Sequence, residues 1–178
     1  REKALKVRNA SNEISQANDD ERKNALNCMA YANLKNADRI LESNNSDFEH
    51  AKQNGISKSL LARLKLSKDK LDLGIEGIRK VGNLKDPVGQ IQINRELSNG
   101  LILQRKTVPI GVLGVIFESR PDAVMQISSL AIRSGNGVIL KGGSESNQTN
   151  IAIIKALHEG LEESSLNKDS ICLLTNRK

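Results

Sequence analysis

Apolar residues change their spacing along this chain, and the changes divide it into three stretches. Over residues 1–84 they recur every three or four positions, the period of a helix with one buried face. This predicts amphipathic helices over residues 2–15, 19–43, 47–53 and 57–82. The last has a break near Ser67, where Ser67 and Asp69 make a fresh helix start ahead of Leu71, Ile75 and Ile78. The second helix carries its stripe on Leu26, Ala30, Asn33/Leu34, Ala37 and Leu41. Asp19, Asp20 and Glu21 place negative charge at its amino end, where the helix dipole favours it. Over residues 85–108 the period shortens to two. Gln90-Ile91-Gln92-Ile93-Asn94 is followed by Asn99-Gly100 and then Leu101-Ile102-Leu103-Gln104-Arg105. Asn-Gly between such runs predicts a β-hairpin. A lone hairpin is marginal in water, so this one is expected to need a partner strand from elsewhere.

Residues 109–178 show a third pattern. An unbroken apolar run over 110–117 reads as a strand covered on both faces, with Gly111 and Gly114 as places where a helix or ligand can press close. The turn Glu118-Ser119-Arg120-Pro121 comes next, with Ser119 or Arg120 in the cap region and Pro121 in the first helical turn. The helix that follows has its stripe on Val124, Ile127, Leu130 and Ala131 and is stopped by Gly135-Asn136-Gly137. A strand over 138–140 runs into Lys141-Gly142-Gly143-Ser144-Glu145. A helix bearing Ile151, Ile154, Leu157 and Leu161 comes after it, and a short strand over 171–174 closes the pattern. Strand, helix, strand, helix, strand predicts an α/β fold, an incomplete doubly wound parallel sheet. Such sheets bind ligands outside the carboxyl ends of their strands. Arg120 and Lys141 are expected at two adjacent strand tips, facing one anionic guest.

Composition narrows the chemistry. The 178 residues are 38% hydrophobic, enough for a core, but Tyr31, Phe48 and Phe117 are the only aromatics, so that core is aliphatic. No apolar run approaches a membrane span and no signal-peptide pattern opens the chain. Cys28 and Cys172 lie far apart without CxxC or Cys/His spacing, which points away from a metal site or a redox motif. Both read as unreactive thiols, with Cys28 opposite the helical stripe and Cys172 in the third strand. His50 and His158 stand alone on different helices and read as surface residues. Two unpaired cysteines fit a reducing compartment, the cytoplasm by default; a plastid stays open if a transit peptide has been removed. The net charge of +6 suits anionic ligands. Nucleic acid is not expected: Lys and Arg alternate with Asp and Glu, with no aromatics among them to stack bases. Most of the charge reads as the solvated faces of helices.

Particular blocks go further. Phe117-Glu118-Ser119-Arg120-Pro121-Asp122, Ser134-Gly135-Asn136-Gly137 and Leu140-Lys141-Gly142-Gly143 stand in this order. Lys58-Ser59-Leu60-Leu61-Ala62-Arg63-Leu64 and Asp86-Pro87-Val88-Gly89 precede them. From about Glu21 onward, the chain resembles the gamma-glutamyl phosphate reductases of the aldehyde dehydrogenase superfamily, especially the reductase half of delta-1-pyrroline-5-carboxylate synthases. The resemblance implies an N-terminal fragment of an aldehyde-dehydrogenase-like enzyme. Residues 1–84 would be the helical part of a cofactor domain, 85–108 a hairpin of the subunit-contact region, and 109–178 a partial NADP-binding unit. No catalytic residue is expected in this chain; the nucleophilic cysteine would lie beyond Lys178.

The implied activity of the intact enzyme is NADPH-dependent reduction of L-glutamyl 5-phosphate to L-glutamate 5-semialdehyde in proline biosynthesis, with the chain inactive alone. The intact protein is expected to be a homo-oligomer, with room for a glutamate 5-kinase domain fused upstream. The alternative is a non-catalytic scaffold or regulatory module built on the same fold. By the same resemblance Glu118, Ser119, Pro121, Lys141, Gly142, Gly143, Ser144 and Glu145 line the NADP site. Lys141 would meet the ribose or its 2′-phosphate, and Gly142 and Gly143 would let the backbone approach. Ser144 would offer its hydroxyl and the free N–H groups of the next helix. Glu145 would bind ribose hydroxyls, favouring NAD, or complete the helix start. Arg120 would hold the substrate phosphate through two parallel hydrogen bonds; otherwise it pairs with Glu118 or Asp122 to fix the turn.

Overall fold

In the computed structural model, which describes residues 1–175, five helices precede the first strand. They are α1 (Glu2–Gln16), α2 (Asp19–Lys35), α3 (Ala37–Gln53), α4 (Lys58–Leu64) and α5 (Lys68–Gly82). The start of α2 is a capping box: the Asn18 side chain accepts from the Glu21 N–H, and the Glu21 carboxylate accepts from the Asn18 N–H. The expected break before α5 is present, with Ser67 Oγ accepting from the Lys70 N–H.

The single helix expected over 19–43 is instead two. It breaks at Asn36, whose side-chain amide donates to the Ala32 carbonyl and, at 2.7 Å, to the Glu159 carboxylate. A distant polar partner thereby overrides the local periodicity. The second piece, α3, then runs on through 47–53, which the sequence had suggested as a separate helix. Leu34 falls outside the core and is exposed, whereas Asn33 is buried with its amide on the Met29 carbonyl.

Two strands form the hairpin, β1 (Ile91–Glu96) and β2 (Ile102–Lys106), paired antiparallel. Asn99 and Gly100 both have positive φ, as a type I′ turn requires, and the Glu96 carboxylate accepts from the Gly100 N–H. Nearly all of the hairpin is exposed.

The remaining elements are β3 (Val112–Ile116), α6 (Asp122–Arg133), β4 (Gly137–Lys141), α7 (Asn147–Glu162) and β5 (Ile171–Leu173). Short 3₁₀ turns at Ser144–Ser146 and Lys168–Ser170 precede α7 and β5. The strands are parallel in the order β3-β4-β5, so the α/β sheet is as expected. Ile116 pairs with Lys141, which brings the carboxyl ends of β3 and β4 side by side.

Two readings of this half are corrected. β3 is not covered on both faces: Leu113 and Val115 pack on the core, while Ile116 is 81% exposed. It is an edge strand among the described residues, and added Cβ atoms at Gly111 and Gly114 would meet open space. Leu130 does not join the stripe of α6 and is exposed. The buried side of α6 is centred on Val124, Ser128, Ala131 and Ile132, because two small serines, Ser128 and Ser129, are themselves buried.

The core lies where α2 crosses α7 and α5, among Leu26, Met29, Ile75, Ile78, Ile153 and Leu157. Two buried guanidiniums fasten the crossover between α5 and the hairpin. Arg22 holds both carboxylate oxygens of Asp86 at 2.7 Å, and Arg133 bonds Asp19 and the Leu84 carbonyl.

Candidate functional site

The loops that leave β3 and β4 are joined by one carboxylate. After the Phe117 N–H donates to the Lys141 carbonyl the two chains diverge, and Ser119 enters the left-handed region with φ +42°. That conformation costs a serine on the order of 1 kcal/mol and needs surroundings that hold it. Here the Ser119 N–H and hydroxyl both donate to Glu145 Oε1, at 2.9 and 2.7 Å, and the serine is buried. Glu145 therefore ties the β3–α6 turn to the β4–α7 loop. Burial pushes its pKa up, but bonds from the Ser119 hydroxyl, its own N–H and the Ser119 N–H outweigh burial and leave it below the ordinary glutamate value.

A carboxyl with a lowered folded pKa contributes stability that is present above the unfolded value, about 4.3, and is lost as pH falls through the folded one. The Ser119 amide resonance is expected to titrate with a midpoint below about 4.3, and Glu145→Gln should abolish that titration. A midpoint at or above the ordinary value would show that the bridge does not form.

The glycines beside it serve the protein's own packing. A Cβ at Gly142 would lie 2.3 Å from Asn150 Nδ2 and 3.2 Å from the Phe117 ring; one at Gly143 would lie 2.1 Å from Glu145 Oε1. The amino end of α7 is also occupied. Asp47 of α3 accepts from the Gln148 and Thr149 N–H groups at 3.3 and 2.8 Å and from the Thr149 hydroxyl at 2.7 Å. The helix N–H groups expected to serve an anion beside Ser144 are thus taken by an internal carboxylate. Ser144 itself starts a 3₁₀ turn and is exposed, Glu118 is exposed, and Pro121 is buried at the entry to α6.

Arg120 takes one of its two expected alternatives: its Nη2 lies 2.9 Å from Asp122 Oδ2. The pair lines an open groove of about 430 Å³ between α4, α5 and the start of α6, together with Arg63 and Lys70. Lys141 is also at its strand tip, but its ammonium reaches the Leu174 carbonyl after β5 at 3.4 Å. The two strand tips are adjacent as the pattern predicts, yet their cations turn to different neighbours. Arg63, Lys70 and Asp47 escaped the sequence reading. Arg63 was within a recognised block, but nothing local says that three helices bring it to Arg120.

Both cysteine thiols lie above the ordinary thiol value. Cys28 and Cys172 are half-buried on α2 and β5. Burial, then Glu163, pushes the Cys28 thiol up; for Cys172 burial dominates, with Lys3 opposing it and Asp169 adding to it. A raised pKa leaves little thiolate, the reactive form. His158 is not the surface residue expected: it is half-buried, with Nε2 2.7 Å from the Ile171 carbonyl oxygen. His50 is exposed. Among the described residues no group of three or more His, Cys, Asp or Glu could hold a metal ion, and no helix is long and apolar enough to cross a membrane.

No family model matches the chain. Among individual proteins, it is 70% identical over 177 residues to a gamma-glutamyl phosphate reductase of Prochlorococcus marinus subsp. pastoris, and 71% identical to that of strain MIT 9301. Each match takes in 99% of the chain and 41% of the relative, so the chain spans about two fifths of the length of these curated relatives. The crystal structure of gamma-glutamyl phosphate reductase from Thermotoga maritima matches 99% of the chain and 43% of its own, with TM-score 0.95 and 36% identity. The Saccharomyces cerevisiae protein of the same name gives 0.94 and 38%, over 99% of the chain and 46% of its own. An acetylating aldehyde dehydrogenase from Geobacillus thermoglucosidasius shares the fold at TM-score 0.73 and 12% identity, over 99% of the chain and 36% of its own.

Proposed function

We propose that this chain, a member of the gamma-glutamyl phosphate reductase family, forms part of the cofactor and substrate surface of an enzyme of proline biosynthesis. That enzyme reduces L-glutamyl 5-phosphate to L-glutamate 5-semialdehyde with NADPH. The observation that carries this is the junction of β3 and β4: two parallel strands ending in register at Ile116 and Lys141, their loops bridged by Ser119 and Glu145. In this reading a nicotinamide cofactor binds outside those tips, where doubly wound sheets take their ligands. Lys141 and the exposed Ser144 side chain are the groups suited to a 2′-phosphate, since the Gln148 and Thr149 amides of α7 are spent on Asp47. The cofactor, when bound, supplies the hydride. The chain's own residues shape and charge that surface, and Glu145 fixes the turn from which Arg120 projects. In this reading the acyl-transfer nucleophile is neither Cys28 nor Cys172, whose thiols burial pushes up. The exposed hairpin residues Leu101 and Ile102 suit pairing with a second copy, and the cytoplasm is the fitting compartment.

The test is cofactor binding to the chain, followed by nucleotide fluorescence. NADPH is expected to bind more tightly than NADH, and Lys141→Met to weaken NADPH by about tenfold, the loss of one charge-assisted contact, while sparing NADH. A folded chain that binds neither nucleotide would overturn this reading in favour of a scaffold.

A further inference from the structure

We propose that the groove between α4, α5 and the start of α6 is the subsite for the α-amino-acid end of the substrate. In this assignment Asp122 receives the α-ammonium, while Arg63, Lys70 and Arg120 hold the anionic groups. The inference rests on the substrate class proposed above and assigns it to a place and to residues.

Lys141 is not among the residues that line the groove. The Ser119–Glu145 bridge holds the turn from which Arg120 reaches it. Its volume of about 430 Å³ is within the range of small-ligand sites. Charge then selects the occupant. Three cations against one carboxylate leave the groove two positive charges in excess. The α-amino-acid end of a γ-acyl phosphate carries a carboxylate and an ammonium, which the cations and Asp122 can each meet, and the excess cations face the remaining negative charge of the substrate.

A bare phosphate would suit the cations but would meet Asp122 as a like charge. A zwitterion satisfies both. The present Arg120–Asp122 pair, 2.9 Å apart and half in water, holds little net energy as it stands. An α-amino acid can exchange that one pair for two, guanidinium to carboxylate and carboxylate to ammonium, at little electrostatic cost.

The walls agree. Among the described residues Lys70 spends one of its three donors, on the Lys65 carbonyl, which leaves two for a ligand. A Cβ at Gly77 would meet open space, and the exposed Leu73 side chain offers an apolar wall to a short methylene chain. Gly74 is closed off beneath, since its Cβ would lie 2.5 Å from Met125 Cε.

The experiment titrates L-glutamate and glutarate, which lacks the ammonium, into the whole chain and follows amide resonances. L-Glutamate is expected to shift Arg63, Lys70, Gly77 and Asp122 and to bind about fivefold more tightly than glutarate, the gain from one exposed ion pair. Asp122→Asn should erase that preference while leaving glutarate binding in place. Arg63→Gln and Lys70→Gln should each weaken both ligands. Arg63 and Lys70 are exposed and Asp122 is half-buried, and an unchanged circular dichroism spectrum confirms that each variant folds.

Equal binding of the two ligands by the unaltered chain would overturn the proposal, as would shifts confined to Lys141 and Ser144, or no binding of either ligand. NADPH titration of the same samples separates the two readings. Groove binding without NADPH binding sinks the cofactor assignment alone; NADPH binding without groove binding sinks this one alone.

Discussion

Gly160→Ala is expected to destabilise the chain by about 3 kcal/mol, at the upper end of what overpacking costs. The added methyl would lie 2.5 Å from Met29 Cα, 2.6 Å from Met29 N and 2.7 Å from the Cys28 carbonyl carbon. These are backbone atoms of α2, so no rotamer change can make room and the two helices must separate. Separation loosens Leu26, Met29, Ile153 and Leu157, all fully buried at that crossing. Helix propensity works the other way, because alanine in a helix interior is favoured over glycine by about 1 kcal/mol. Packing is expected to win. Gly77→Ala is the internal control: it also lies mid-helix, but its methyl would meet nothing within 4 Å, so it should gain about 0.5–1 kcal/mol. Urea denaturation of the two variants decides the matter. Midpoints that move in the same direction would mean that α2 and α7 do not cross this closely.

What could be read in the residues before folding was whatever local rules decide. Asn99-Gly100 forces the positive φ values of a tight hairpin turn, and Ser67 caps the helix behind it. The alternation of strand and helix after residue 109 fixes a parallel sheet through the handedness of its crossovers. The misses share a different cause. Asn36 breaks a helix because Glu159 lies across from it, and Asp47 fills the amino end of α7 from a position 102 residues away. Glu145 was ambiguous from its own neighbourhood and is defined by Ser119 across the sheet tip. Arg63 and Lys70 join Arg120 only when three helices converge. Polar partners distant in sequence leave no period to detect, and they set most of the candidate site.

Asp86→Ala is expected to be as damaging as the overpacked glycine, at about 3–5 kcal/mol, by the opposite route of leaving a charge without its partner. Arg22 is 2% exposed, and its Nη2 donates to both oxygens of Asp86 at 2.7 Å. Its Nη1 bonds the Ala17 carbonyl and its Nε has no partner among the described residues, so among these the carboxylate is the only counter-charge bonded to it. A guanidinium cannot escape by losing its proton. Asp86 also accepts from the Val88 N–H at 3.0 Å, so the change frees the crossover that leads to the hairpin as well. Removing both charges should cost less than removing one. Arg22→Met with Asp86→Ala is expected to recover at least half of the loss, as apolar replacements of buried ion pairs commonly do. A double-mutant cycle in urea measures this, and a single Asp86→Ala cost under about 1 kcal/mol would show that water already reaches the pair. The outcome bears on the Asp86-Pro87-Val88-Gly89 block as well. Its carboxylate is spent on Arg22, its proline carbonyl accepts the Thr107 hydroxyl, and Gly89 turns at φ +74°. Asp86 ties the crossover to α2 and Pro87 ties it to the end of the hairpin, which makes the block a device for docking one element on another.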